Sequence, residues 1–191
     1  MPDAMLILIT VFLGFGIFGL LLRLAANFIK RTAKKYPSSD PSHKLAGVGG
    51  WLLFFITKMI LLAPLFEAGA INRDIIAAES ENPDLGMLTE WATYKTFSWS
   101  MFALSSLINI LAGQFMIWNR TRSAVRRAIV ALWLSGPISV TLSIIGTQAI
   151  LGASAIDDYA FVKIMFVAIS SSAIWTGYLL LSRRVKATYG S

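Results

Sequence analysis

Of the polar side chains inside the long apolar stretches, Lys58, Glu67, Asn109 and Gln114 stand out, whereas Arg23 and Lys163 lie near the ends of theirs and can snorkel to the headgroups. An ionisable group held away from water either finds a partner or marks a path for an ion or proton, so Lys58 and Glu67 are the chain's chemical candidates, with Asn109 and Gln114 as neutral polar partners. Lys58 lies about 21 Å of helix beyond Lys44 and a similar distance before Ile71, near the middle of its stretch. Glu67 is about 900° further round an ideal helix, half a turn net, and so faces the opposite way. Pro64 between them removes a backbone hydrogen bond and bends the helix, which relaxes that separation. Four outcomes stay open for Lys58: a neutral amine, contact with Glu67 across the bend, bonds to Asn109 or Gln114, or a partner protein. A snorkelling structural lysine is the plain reading and ion or proton movement the functional one.

Other chemistry is poorly provided for. The only histidine, His43, sits in a polar linker, so no imidazole pair can ligate haem within the apolar stretches. No helix carries His, Asp and Glu at metal-ligand spacing, and no Ser/His/acid set is present. The chain has no cysteine, hence no disulfide and no thiolate site. The acids Asp74, Glu79, Glu81 and Asp84 lack the loop pattern of a calcium site. Gly14, Gly16 and Gly19 spell a dinucleotide fingerprint, but that fingerprint needs a preceding strand and a soluble βαβ unit. Here the glycines lie in an apolar run and suit close helix contact. No cofactor, metal, nucleic acid or catalysis is expected.

The elements that must position these residues are membrane helices. Of 191 residues, 56% are hydrophobic and 14% charged, too few charges to cover a soluble domain, and mean hydropathy is +0.67. Five apolar stretches, residues 5–29, 48–70, 96–118, 128–151 and 161–181, are each long enough to cross a bilayer. With no water in the bilayer to satisfy the backbone, they must be helices. The expected fold is all-α, a polytopic membrane bundle with a four-helix core and one N-terminal helix. Its parts are the N-terminal span to residue 29, a basic linker over 30–47 with Pro37 and Pro41, and a core from 48 to 191 with a basic tail. Met1–Ala4 carries no cation and the basic cluster follows the first span, so that span reads as a retained anchor rather than a signal peptide.

Charge orients the spans. Twelve of the 17 basic residues lie after spans one, three and five, at Lys30, Arg31, Lys34, Lys35, Lys44, Arg120, Arg122, Arg126, Arg127, Arg183, Arg184 and Lys186. Most of the acids lie in the alternate connections. Cytoplasmic loops carry the Lys/Arg excess, so the N-terminus is expected outside and the C-terminus inside a bacterial inner membrane. The net charge of +7 then belongs to the membrane surface, with Arg120, Arg122, Arg126, Arg127, Arg183, Arg184 and Lys186 as contacts for anionic lipids or a partner. Residues 71–95 read as an acidic connection with a turn at Asn82-Pro83. Leu85–Tyr94 is expected as a short surface helix, with Trp91 and Tyr94 at headgroup depth.

Small and hydroxylated residues recur at helical spacing in three spans: Ser98, Ser105, Asn109 and Gly113; Ser135, Ser139, Ser143 and Gly146 or Thr147; Ala168, Ser172 and Thr176. Such stripes let helices approach closely in lipid, so spans three to five are expected to pack together along them.

Two short motifs carry a resemblance. Gly49-Gly50-Trp51-Leu52 opens the second span, and Trp175, Tyr178 and the run Ser182-Arg183-Arg184-Val185-Lys186-Ala187-Thr188-Tyr189 end the chain. Over residues 45–189 the chain resembles a bacterial family of small inner-membrane proteins of unknown function. Its members open with Gly-Gly-Trp-Leu and finish with Ser-basic-Arg-Val-Lys-x-Thr-aromatic after a fourth span. The resemblance implies an inner-membrane location and no mechanism, and the first span is an addition to it. Physically, Thr188 and Tyr189 can fold back on the basic span ends, while the tail cations meet headgroups or a cytoplasmic partner.

The expected role is a non-enzymatic accessory or scaffold subunit, packed against lipids and other membrane subunits or copies of itself. A small transporter or channel using Lys58 is the competing class, favoured if Lys58, Asn109 and the span-four serines line one wet cavity. A membrane-acting defence effector is the third.

Overall fold

The computed structural model describes residues 20, 23–35, 46–152 and 158–190. Most of the expected first span, the glycines at 14, 16 and 19, and the Pro-containing part of the linker with His43 lie outside these residues. The described part is helical throughout. Helix α1 covers residues 23–33. Helix α2 (Gly50–Thr57) runs through a π-helical turn, Lys58–Leu62, into α3 (Ala63–Glu81). A 3₁₀ turn, Pro83–Met87, leads to α4 (Thr89–Trp118). Helix α5 (Arg122–Trp133) passes through a second π turn, Leu134–Ile138, into α6 (Ser139–Leu151). Helices α7 (Asp158–Leu181) and α8 (Arg183–Tyr189) complete the chain.

Among the described residues, four helical runs are long and apolar enough to cross a membrane: Gly50–Glu81, Thr89–Trp118, Arg122–Leu151 and Tyr159–Leu181. They correspond to spans two to five. The first of them has 32 residues, about 48 Å of helix, well beyond a hydrocarbon core of about 30 Å. Residues 71–95 are therefore no simple connection. Helix α3 continues to Glu81 and α4 starts at Thr89, so only the Asn82-Pro83 turn between them is as expected. The separate helix over Leu85–Tyr94 is absent: Leu85 belongs to the 3₁₀ turn and Thr89–Tyr94 are the first turns of α4. Trp91 is buried rather than spread at a surface. Its Nε1 and Lys95 Nζ donate to Glu79 Oε1 at 2.9 and 2.7 Å, joining the projecting ends of α3 and α4.

Packing follows the small residues. Gly113 lets α4 close on Ile60 of the first π turn, and Gly146 of α6 meets the Phe97 ring of α4. The largest buried side chains gather toward the basic end of the bundle, where Leu52, Phe55, Ile56, Met59 and Met116 meet Leu179 and Val185.

Helix α8 wedges into that basic end. Val185, Thr188 and Tyr189 are buried, which an alternation of charged and apolar residues over two turns permits. Thr188 Oγ1 donates to the Arg184 carbonyl at 2.7 Å and accepts from Gly47 N–H at 3.0 Å. The Gly49-Gly50 pair has a stated use here. Gly50 has φ +55°, which favours glycine, and a Cβ on Gly49 would sit 3.0 Å from Arg184 Nη1. The motif that opens α2 and the motif that ends the chain thus pack on each other.

Candidate polar cavity between two helix breaks

Lys58 opens the first π turn and Glu67 lies one and a half turns into α3. A π turn takes up one extra residue, so the two sit about 80° apart around the helix instead of about 180°. Both line one cavity of about 240 Å³ with Asn109, Ser135, Gly136 and Ser172. That is about the volume of eight liquid waters. The wider turn, which ends two residues before Pro64, relaxes the opposite-facing arrangement of an unbroken helix.

The second π turn borders the same cavity. Gly136, with φ −95° and ψ −105°, departs from helical geometry, and Pro137 has no N–H to donate. In π register that leaves the carbonyl five residues earlier, Leu132, without its donor. Ser172 Oγ of α7 donates to it at 3.2 Å. The break is thus closed by a hydroxyl from the neighbouring helix, as a water-poor surrounding requires. Sequence reasoning did not single out this break; Pro137 in mid-span was its signal.

The polar groups are engaged unequally. Ser105 Oγ donates to Glu67 Oε1 at 2.8 Å, and Ser135 Oγ has Asn109 Oδ1 within 2.9 Å and its own Ala131 carbonyl within 2.8 Å. Lys58 Nζ lies 5.2 Å from the centroid of the Trp175 ring, a cation–π contact. Among the described residues Lys58 makes no salt bridge, and neither does Glu67. A lysine and a glutamate therefore line one half-open cavity without forming a salt bridge. Gln114, five residues past Asn109, does not line it. Of the expected seam, Ser139 is buried, Ser143 accepts from Thr147 Oγ1 through its carbonyl at 2.8 Å, and Thr176 accepts from Trp133 Nε1 at 3.2 Å.

The arginines fall into two groups. Arg120, expected at the lipid or partner surface, is buried. Its Nη2 donates to the Ala33 carbonyl at 3.2 Å and its Nη1 lies 3.4 Å from the Met116 carbonyl, over the Tyr189 ring. Tyr189 O–H donates to the same Met116 carbonyl at 2.7 Å. Arg122 Nε donates to the Gly190 carbonyl. These contacts tie α1, α4 and α8 together, a structural task. Arg126, Arg127, Arg183 and Lys186 are exposed, and Arg184 is half-buried against Gly49.

Four helices long and apolar enough to cross a bilayer, with Ser105, Asn109 and Ser172 buried between them, point to a multi-pass α-helical membrane protein. The profile of the family described as Protein of unknown function (DUF2569) matches residues 45–190, and the chain belongs to that family. No curated protein and no solved structure matches it.

Proposed function

We propose that the protein binds a small polar solute in the Lys58–Glu67 cavity and passes it across the bacterial inner membrane, without enzymatic chemistry. The observation that carries this reading is a lysine and a glutamate lining one cavity with no salt bridge between them. Two π turns border that cavity, and breaks of this kind are where helices bend and where transporters gather their binding groups. Orientation is proposed from charge. The N-terminal span over residues 5–29 is the fifth, its start is periplasmic, and α8 is cytoplasmic, because the Lys/Arg excess lies at that end.

The test is osmotic swelling of proteoliposomes holding the full chain, with glycerol, urea, glycine and ammonium acetate as solutes, alongside proton movement followed by trapped pyranine. The expected result is faster entry of at least one of these than in empty vesicles, abolished by Lys58→Met and by Glu67→Gln. Flux unchanged in Lys58→Met overturns the reading.

A second reading, an accessory subunit of a membrane assembly, has one observation in its favour. Of the most apolar eighteen residues of the last span only 11% are buried, against 39% for α4. That leaves a long apolar face on α7 for a partner helix. Co-purification of one protein at fixed stoichiometry after gentle extraction, with no flux, supports this reading over the first.

A further inference from the structure

A groove of about 390 Å³ lies on the outside of the bundle, between α4 and α5, away from the Lys58 cavity. Its walls repeat at helical spacing: Leu111 and Phe115 on α4, Val130 on α5 and Leu134 at the start of the second π turn. Leu111, Val130 and Leu134 are exposed along it. From Arg126 to Leu134 the groove descends about 12 Å, close to the roughly 15 Å depth of one leaflet's hydrocarbon.

Its mouth is cationic. Arg126 and Arg127, with Ser123 beside them, line the end nearest the start of α5. The Arg127 guanidinium lies 5.0 Å from the Phe115 ring centroid, which holds it on the rim. Among the described residues neither arginine has a carboxylate partner. An apolar channel one leaflet deep under two unpaired arginines matches a lipid tail beneath an anionic headgroup, and matches a zwitterionic lipid less well.

We propose that this groove seats an anionic phospholipid of the surrounding bilayer, its phosphate on Arg126 and Arg127 and one acyl chain between α4 and α5. The site is independent of the solute reading above.

The test is native mass spectrometry of the full chain, delipidated in detergent and titrated with phosphatidylglycerol or phosphatidylethanolamine. Each basic residue near a membrane surface contributes about 1 kcal/mol toward an anionic lipid, so two contribute about 30-fold. Preference for phosphatidylglycerol is expected in the wild type and largely lost in the Arg126→Gln/Arg127→Gln double variant. Val130→Trp keeps both charges but fills the groove, and is expected to lower phosphatidylglycerol occupancy about tenfold, the 1.4 kcal/mol equivalent. Arg183→Gln/Lys186→Gln, exposed on the tail, is expected to change neither value. Equal retention of the two lipids by the wild type overturns the proposal. So does unchanged occupancy in Val130→Trp, or a loss in the tail variant as large as in the groove variant, which would assign the effect to diffuse surface charge.

Discussion

Lys58 and Glu67, nine positions apart on one helical run, line the same cavity because the helix widens by one residue between them. The π turn acts as a register device. It turns the carboxylate through about 100° while leaving the run continuous enough to cross a bilayer. The same device recurs at Leu134–Ile138 on the opposite wall.

If the first π turn is one inserted residue, deleting Leu61 restores an α-helix and keeps Lys58 and Glu67 on one side. Deleting Leu107 from the regular α4 turns everything after it by about 100°. The expected outcome is that the Leu61 deletion remains folded and monodisperse in detergent while the Leu107 deletion does not. Size-exclusion profiles and thermal unfolding of the pair decide it; equal damage by both would sink the idea.

Ser172 stands in for the donor that Pro137 lacks. Ser172→Ala should cost about 0.6 kcal/mol, the usual worth of a hydrogen bond between membrane helices, and no more than about 1.7. In a Pro137→Ala background, where the backbone N–H is returned, the same change should cost measurably less. A double-mutant cycle on unfolding in mixed micelles reads the coupling, and additive costs would show that the two are unrelated.

Burial pushes the Tyr189 phenol above its ordinary 10.0, with Arg120 opposing part of the shift. The native state then holds this proton more tightly than the unfolded chain. The stability from its O–H is complete below about pH 10 and lost as pH rises beyond that value. Melting should therefore be insensitive to this group between about pH 6 and about pH 9. Tyr189→Phe should cost about 1 kcal/mol at neutral pH and make the alkaline decline shallower. Identical alkaline declines in the two proteins would remove Tyr189 from the account.

The chain has no cysteine of its own, so single substitutions report topology cleanly. Asp84→Cys, at the turn between α3 and α4, should react with a membrane-impermeant maleimide on intact cells with a permeabilised outer membrane. Lys186→Cys should react only after lysis. Labelling of both from the same side would reverse or break the proposed orientation.

Much of this architecture was legible because the bilayer constrains it so strongly. Apolar length located the four described spans, and hydroxyl and glycine spacing marked Ser105, Gly113 and Ser172 as packing residues, although Ser105 and Gly113 meet Glu67 and Ile60 of span two rather than spans four and five. Tyr189 and Thr188 were expected to fold back on the bundle, and they do. Other features were not legible. Arg120 looks like the arginines around it, yet it is the one enclosed by Ala33, Met116 and Tyr189, residues from three distant parts of the chain. Whether Glu67 shares a side with Lys58 stayed open in the sequence, because Pro64 signals a bend while a π turn has no composition of its own.

Sequence alone determined the number and type of the described spans, the sign of charge at each end, and the residues small enough to let helices touch. Those follow from hydrophobic length and residue size, which are local quantities. Tertiary structure alone decided which polar groups share a cavity and which cation is buried. Both depend on how helices rotate against each other, and a single extra residue in one turn resets that rotation for everything beyond it.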